Sequence, residues 1–181
     1  MKRGNDVKNE VIVALCDIRS LHNVGSIFRT ADGAGARKIY LCGITPSPVD
    51  RFGKFIPQFI KVSLGAERHL EWEEAKSAIR IIKKLKAEGF KILAIEQAKK
   101  SVFYYKAKAR GGASKLALVM GSEIGGVPQS VLKYADEILE IPMRGVMVRH
   151  AHHPRRTGRG KESLNVSVAF GIVAYALREG K

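Results

Sequence analysis

Short apolar runs alternate with longer amphipathic stretches along most of this chain. The apolar runs at residues 11–18, 38–44, 90–95, 115–120 and 137–141 are each bounded by polar residues or glycine. Runs of this length and composition are typical of strands that are buried on both faces of a sheet. The pattern therefore predicts at least five buried strands.

Three segments between and after these runs have helical periodicity. Residues 23–35 and 71–88 place apolar side chains on one side of a helix, which predicts amphipathic helices. Residues 163–178 are apolar on nearly all sides, which predicts a helix buried over most of its surface. Residues 45–57 contain three of the six prolines and are predicted to form a loop.

Strands separated by helices predict an α/β fold with a mostly parallel sheet flanked by helices. No Pro/Gly/Ser-rich linker divides the sequence, so we expect one domain over residues 1–181. In open parallel sheets, ligands bind beyond the carboxyl ends of the strands. Polar or glycine-rich segments that directly follow a predicted strand are therefore the first candidates for a functional site.

Charge and composition narrow the class of partner. Lys and Arg number 32 against 17 Asp and Glu, a net charge of +15, which favours a polyanion as partner, although a solubility effect is the alternative. The longest apolar run, residues 170–177, is too short to cross a bilayer. No secretion signal is recognisable at the start, and Cys16 and Cys42 lie singly within predicted strands. We expect buried, reduced thiols and a cytoplasmic location.

The first candidate segment, residues 23–31 (NVGSIFRTA), follows the first predicted strand. Asn23 is expected at the turn, and Gly25 permits a close approach of backbone or ligand. Arg29 is expected to point toward the strand ends or solvent, where its planar set of donors suits a phosphate. A helix cap at Asn23 and a solvated Arg29 are the alternative interpretation.

Two further segments share this composition. Residues 121–128 (GSEIGGVP) follow the strand at 115–120 and place three glycines around Glu123, without matching a P-loop or a dinucleotide-binding motif. A plain turn is the alternative. The third segment is split between residues 141–145 (IPMRG) and 163–167 (SLNVS). Its Ser163 and Asn165 are natural caps for the last helix, whose first N–H groups remain free to bind a ligand.

Together these segments resemble a known family. NVGSIFRTA, LVMGSEIGG and IPM-x-G followed by SLNVSVA closely resemble, in content and order, the three signature motifs of the SpoU (TrmH-like) branch of the SPOUT methyltransferases. The resemblance extends from about Val11 to Arg178. It implies a homodimeric SPOUT fold with a C-terminal trefoil knot. It also implies methyl transfer from S-adenosylmethionine to a ribose 2′-hydroxyl of structured RNA, for which we favour tRNA over rRNA.

The resemblance also implies roles for individual residues. The cofactor contacts map to Ile95, Gly121, Ile141, Met143, Ser163 and Leu164, and the catalytic site maps to Arg29 with Asn23, Glu123, Ser163 and Asn165. The family proposal makes the arginine a general base, which is hard to reconcile with a guanidinium group that stays protonated in proteins. We therefore expect Arg29 to bind an RNA phosphate and to stabilise developing negative charge. His22 is a possible proton acceptor, and a loop histidine without a catalytic role is the alternative.

One segment departs from the family pattern. About a dozen extra residues within residues 146–161 separate the two halves of the third motif. Basic side chains in this insertion are expected to contact RNA; they are Arg149, Arg155, Arg156 and Arg159. A basic loop without a ligand is the alternative, and a metal site at its HAHH tract is a third interpretation, although no metal is expected.

The insertion also leaves the function open in one respect. It falls beside the predicted cofactor site, so a non-catalytic RNA-binding protein of the same fold is the competing hypothesis. DNA binding has only the charge in its favour, because no helix-turn-helix, zinc or basic-zipper motif is present. Only about ten residues precede the first predicted strand, so we expect RNA recognition within the domain, its dimer partner and the insertion.

Overall fold

A parallel sheet of seven strands forms the centre of the structure, a computed structural model that describes residues 10–107, 115–143 and 163–178. The strands are β1 (Glu10–Cys16), β2 (Lys38–Cys42), β3 (Glu71–Ala75), β4 (Lys91–Ile95), β5 (Val102–Phe103), β6 (Lys115–Met120) and β7 (Glu137–Glu140). Their order across the sheet is β3-β2-β1-β6-β4-β7-β5, and every pairing is parallel. The prediction of a mostly parallel α/β sheet is confirmed.

Helices cover both faces of this sheet. They are α1 (Leu21–Gly33), α2 (Pro57–Ser63), α3 (Ala78–Ala87), α4 (Gln129–Leu132) and α5 (Val166–Arg178), with short 3-10 turns at Ala66–Arg68 and Tyr104–Lys106. Among the described residues, no helix is both long and apolar enough to pass through a bilayer.

Five of the strands lie where the apolar runs predicted them, but residues 71–88 do not form one helix. The segment divides into β3 and α3, with Ser77 as the N-cap of α3. In β3, Trp72 and Ala75 pair in register with Ile39 and Cys42 of β2. The helical spacing of the apolar residues is a local property of the segment and carries no information about the open edge of β2. Hydrogen bonding to that edge stabilises a strand over residues 71–75 and overrides the helical preference. The two-residue strand β5 also went unpredicted.

The core has one layer on each side of the sheet. On one side α1, α2 and α5 pack on the strands, and the rings of Phe28 and Phe59 meet edge to face with centroids 5.1 Å apart. On the other side α3 and α4 cover a second apolar cluster that contains Cys16 and Cys42. Both cysteines are free and buried, as predicted. A hydrogen bond with Cys42, together with burial, raises the pKa of the Cys16 thiol.

The last helix is buried or half-buried along most of its surface and exposes two apolar side chains. Phe170 and Val173 of α5 are fully buried against the sheet and α1, whereas Val168 is 49% exposed and Tyr175 is 45% exposed. The other eleven of its thirteen residues are buried or half-buried, so the prediction of burial over most of the helix is confirmed, with these two side chains as the exceptions. An apolar helix face that its own chain leaves uncovered is a common feature of association surfaces.

Candidate functional site

A cavity of about 590 Å³ lies at the carboxyl ends of β4, β6 and β7. This is the edge of the sheet where the general rule for parallel α/β folds places ligands. All six residues that the resemblance assigns to the cofactor line this cavity, namely Ile95, Gly121, Ile141, Met143, Ser163 and Leu164. Residues nearly 70 positions apart in sequence therefore share one site, which we call the strand-end cavity.

The glycine-rich segment after β6 forms a tight loop in the wall of the strand-end cavity. A Cβ atom at Gly121 would lie 2.0 Å from the backbone carbon of Gly126. Gly126 has φ +65°, and a Cβ atom there would lie 2.0 Å from Oε2 of Glu96. The backbone N–H of Gly125 donates to Oγ of Ser122 at 3.0 Å. Positions 121 and 126 therefore require glycine, and the segment forms a hydrogen-bonded turn in which the N–H of Gly126 donates to the carbonyl of Ser122 at 2.8 Å.

Glu96, the first residue after β4, holds this loop in place. Its Oε2 accepts a hydrogen bond from the backbone N–H of Val127 at 2.8 Å, and its Oε1 accepts one from the N–H of Gln97 at 2.9 Å. Sequence reasoning missed this residue because only glycine-rich or Asn/Ser/Arg-rich segments were selected. The available signal was a carboxylate at the end of a buried strand.

Replacing Glu96 by alanine is expected to lower the free energy of unfolding by about 1–3 kcal/mol, because the Val127 N–H loses its charged acceptor. Glu96→Gln retains one oxygen acceptor and is expected to lose less. Urea denaturation of the two variants and the wild-type protein measures the difference. Equal stability of Glu96→Ala and wild type would show that the loop holds itself in place without the carboxylate.

Asn23 connects the three motifs at the edge of the strand-end cavity. This side chain is 8% exposed; its Nδ2 donates to Oε1 of Glu123, and its Oδ1 accepts from Nδ2 of Asn165 at 3.1 Å. Glu123 and Asn165 both line the cavity. These contacts span 100 and 142 positions in sequence. A buried amide that links two cavity residues fixes their positions relative to one another.

The two predicted helix caps have different outcomes. The cap of α1 is Ser20, whose Oγ accepts from the N–H of Asn23 at 3.2 Å, so the cap interpretation of Asn23 is wrong. Asn165 directly precedes α5, and its Oδ1 accepts from the N–H of Ser167 at 2.9 Å, as a cap does. Asn23 thus sits within the first turns of α1, where its amide is available for the contacts with the other motifs.

In the described part of the chain, Arg29 does not line the strand-end cavity. It lines a second depression of about 860 Å³ between α1 and α2, which we call the α1–α2 cleft, together with His22, Gln58 and Lys61. Arg29 is exposed, as predicted, and it lies six residues after Asn23, about 9 Å farther along the helix axis. Within one chain, the predicted catalytic arginine and the predicted cofactor residues therefore lie at separate sites.

The remaining predicted site residues cannot be placed. Arg149, Arg155, Arg156 and Arg159, with the neighbouring HAHH tract, lie outside the described residues. Their predicted contacts with RNA stay predictions.

A parallel α/β sheet with a glycine-lined cavity at its carboxyl edge defines a ligand-binding α/β protein in which separate sequence motifs meet at one site. Residues 10–148 match the family described as the SpoU rRNA Methylase family, and the chain belongs to that family. The resemblance found in the sequence is confirmed.

Individual relatives agree with this assignment. The chain is 28% identical, over 91% of its length, to the 23S rRNA (guanosine-2'-O-)-methyltransferase RlmB of Escherichia coli, and it covers 58% of that protein. It is 26% identical, over 93% of its length, to the tRNA (guanosine(18)-2'-O)-methyltransferase of Aquifex aeolicus, of which it covers 68%. An AdoMet-bound rRNA methyltransferase from Sinorhizobium meliloti superposes with a TM-score of 0.75 at 29% identity, covering 94% of this chain and 56% of that one. The chain thus spans about three fifths of the length of several of its relatives.

Proposed function

We propose that this chain transfers a methyl group from S-adenosylmethionine to a ribose 2′-hydroxyl of a structured RNA. The observation that carries the proposal is the Asn23 contact, which draws all three family motifs together at the edge of the strand-end cavity. We place the target in tRNA, as in the name of the Aquifex aeolicus relative, of which the chain covers the larger share. The name of the Escherichia coli relative makes rRNA the alternative substrate.

The residues of the strand-end cavity suit S-adenosylmethionine. Its volume of about 590 Å³ is within the usual range for sites of small molecules and cofactors. Apolar side chains of Met120, Leu139 and Ile141 can hold an adenine ring, and the carboxylates of Glu96 and Glu123 favour a positively charged ligand. Gly121 and Gly126 line the cavity without side chains, so the ligand would meet bare peptide groups there. When bound, the cofactor supplies an electrophilic methyl group on a sulfonium sulfur.

The chain's own residues would position the ribose and handle its charge. Asn23 fixes Glu123 and Asn165 at the cavity edge, where their oxygens and N–H groups can orient the hydroxyl. Arg29 would bind the adjacent phosphate through its planar set of donors and stabilise the negative charge that grows as the hydroxyl loses its proton. His22 lines the same cleft as Arg29 and is the candidate proton acceptor.

A homodimer would resolve the separation between Arg29 and the strand-end cavity. The exposed apolar side chains Val168 and Tyr175 lie on α5, and α5 also contributes Val166 and Ala169 to the cavity lining. A second copy on this face would border the cavity and could bring its own cations to the rim. Sedimentation equilibrium tests the proposal: a mass twice that of one 19.9 kDa chain supports it, and a monomer contradicts it.

The remaining expectations about the fold are also proposals. All strands of the described residues share one sheet, which supports a single domain. The placement of β6 and β7 on either side of β4, with α5 folded back against α1, supports a trefoil knot in the C-terminal part. The two free, buried thiols support the expected cytoplasmic location. The basic insertion is proposed to add phosphate contacts through its arginines.

Calorimetric titration of the full chain with S-adenosylmethionine tests the proposed function at its first step. We expect saturable binding at one site per chain, because the strand-end cavity provides the only set of residues that the family motifs assign to a cofactor. The enzyme hypothesis would be contradicted if the chain binds RNA but titration with millimolar S-adenosylmethionine gives no heat of binding. That result would support the non-catalytic RNA-binding alternative.

Transfer of a tritiated methyl group to purified tRNA and rRNA fractions tests the second step. Nucleoside mass spectrometry of the labelled product identifies the modified ribose. Label in base-modified nucleosides, with none in 2′-O-methylated ones, would contradict the proposed reaction while leaving methyl transfer itself intact.

A further inference from the structure

The loop between β2 and α2 presents the most exposed aromatic ring among the described residues. Phe52 is 71% exposed, and Phe55 in the same loop is 38% exposed. Burying a phenyl ring is one of the larger apolar contributions that a side chain can make, so a ring left in solvent is a candidate for contact with a partner. The proposed reaction assigns no role to this loop.

Several backbone hydrogen bonds make this loop a stiff hairpin. Val49 and Phe55 form an antiparallel bridge, and the N–H of Asp50 donates to the carbonyl of Lys54 at 2.8 Å. Oδ1 of Asp50 accepts from the N–H of Phe52 at 2.8 Å and from the N–H of Lys54 at 3.0 Å. Gly53 takes φ +75° at the turn. We call residues 49–55 the hairpin; its geometry fixes the direction in which Phe52 points.

Cations flank both exposed rings. The guanidinium carbon of Arg51 lies 4.7 Å from the centroid of Phe52, and that of Arg68 lies 5.4 Å from the centroid of Phe55. Glu67 partly balances Arg68 at 3.7 Å. Within the described residues neither Arg51 nor Lys54 forms an ion pair, and the carboxylate of Asp50 is engaged by backbone N–H groups. Aromatic faces interleaved with unpaired cations are the usual surface for single-stranded nucleic acid.

The hairpin leads into α2, which forms one wall of the α1–α2 cleft. It follows β2 and therefore lies at the carboxyl edge of the sheet, the edge that carries the strand-end cavity. The chain runs from Phe55 directly into α2, where Gln58 and Lys61 line the cleft with Arg29. An RNA whose phosphate reached Arg29 would lie against α2, the helix that directly follows the hairpin.

A second copy of the chain fits this surface less well than RNA does. In a symmetric dimer the same patch of each copy meets itself, so a contact centred on Phe52 would bring Arg51 and Lys54 of both copies together. Like charges placed face to face at an interface are destabilising.

We propose that the hairpin binds an unpaired nucleotide of the substrate RNA: the Phe52 ring stacks on the base, and Arg51 and Lys54 contact the flanking phosphates. This inference rests on the proposed RNA substrate and adds a requirement, namely that the RNA near the target ribose is unpaired. Stacking depends on the flat face of the ring and tolerates any base, so the hairpin would select single-stranded structure and not sequence.

Fluorescence anisotropy with a labelled oligouridylate and with a fully paired RNA duplex of equal length tests the proposal on the full chain. Phe52→Ala is expected to weaken binding of the oligouridylate about tenfold and to change duplex binding by less than about twofold. Phe52→Trp is expected to retain wild-type affinity. Phe52→Leu, the matched control, keeps an apolar side chain without a flat face and is expected to behave as Phe52→Ala.

Salt dependence separates the ring from the cations. Arg51→Gln is expected to lower the slope of log K against log salt by about one, because one phosphate contact is lost, whereas Phe52→Ala leaves that slope unchanged. Wild-type affinity of Phe52→Ala for the oligouridylate would overturn the proposal, and so would wild-type affinity of Phe52→Leu. A change in the sedimentation mass of Phe52→Ala would assign the ring to a contact between copies instead.

The same preparations distinguish failure of this inference from failure of the proposed function. In one outcome the wild-type protein binds oligouridylate through Phe52 but neither binds S-adenosylmethionine nor methylates RNA. This outcome would contradict the proposed reaction and still support the role of the hairpin in RNA binding. The reverse result is that wild-type protein and Phe52→Ala methylate RNA with equal kcat and KM and bind oligouridylate with equal affinity. It would support the proposed reaction and show that the hairpin has no role in it.

Discussion

Replacing Arg29 by lysine is expected to slow methyl transfer about a hundredfold or more, while the affinity for S-adenosylmethionine stays at the wild-type value. Lysine keeps the positive charge but loses the planar set of donors that binds a phosphate through two parallel hydrogen bonds. Cofactor affinity is expected to survive because Arg29 lines the α1–α2 cleft and not the strand-end cavity. Single-turnover rates with tRNA, beside calorimetric titration with the cofactor, measure the two effects separately.

Arg19 offers a matched control for this substitution. It is an exposed arginine just before α1, and it lines neither the strand-end cavity nor the α1–α2 cleft. Arg19→Lys is expected to keep nearly full activity. Near-normal activity of Arg29→Lys would contradict the proposed role of the guanidinium group. A loss of cofactor affinity would show that Arg29 acts through the strand-end cavity.

His22→Ala, measured across pH, addresses the proton acceptor on the same cleft. If His22 accepts the proton, His22→Ala slows methyl transfer, and the pH dependence of its single-turnover rate differs from that of the wild-type protein. An unchanged pH profile would identify His22 as a loop histidine without a catalytic role.

Replacing Gly121 by alanine is expected to weaken S-adenosylmethionine binding more than about a hundredfold and to lower the free energy of unfolding by about 1–3 kcal/mol. The new Cβ atom would lie 2.0 Å from the backbone of Gly126 and 2.1 Å from the nitrogen of Val127, so the loop must move as a whole. Neither of these atoms is the flexible end of a side chain, and the displacement therefore reaches the cavity wall. Calorimetric titration and urea denaturation measure the two losses.

Gly125→Ala is the matched control within the same loop. A Cβ atom at Gly125 would meet only Oγ of Ser122, at 3.3 Å, and a small shift of this side chain relieves the contact. The control is expected to bind the cofactor with an affinity within a few-fold of the wild-type value. Wild-type affinity in Gly121→Ala would mean that the loop after β6 is not part of the cofactor site.

The strands and the family motifs were readable from local sequence. A strand buried on both faces must be apolar along its whole length, so the runs that form β1 and β6 are visible without any knowledge of their neighbours. The glycines at 121 and 126 were visible because a close backbone approach at Gly121 and a positive φ at Gly126 each favour glycine.

Elements that depend on a distant partner were not readable in this way. β3 exists because β2 has a free edge, and its residues carry the spacing of a helix that does not form. Glu96 acts on a loop about 30 residues away; its place at a strand end is visible in the sequence, but only the fold shows that it accepts from Val127. The hairpin could be predicted only as a loop, since its stiffness comes from the side chain of Asp50 turning back onto its own backbone.

The sequence by itself determined the fold class, the family and, through the family resemblance, six of the residues that line the strand-end cavity, because each rests on burial, glycine geometry or motif order within short segments. Only the tertiary structure decided which of these residues touch one another. It joined Asn23 to Glu123 and Asn165, and it placed Arg29 in a separate cleft. The physical reason is that the local sequence determines on which face of a helix a side chain lies. The residues that this face contacts depend on how whole helices pack on the sheet.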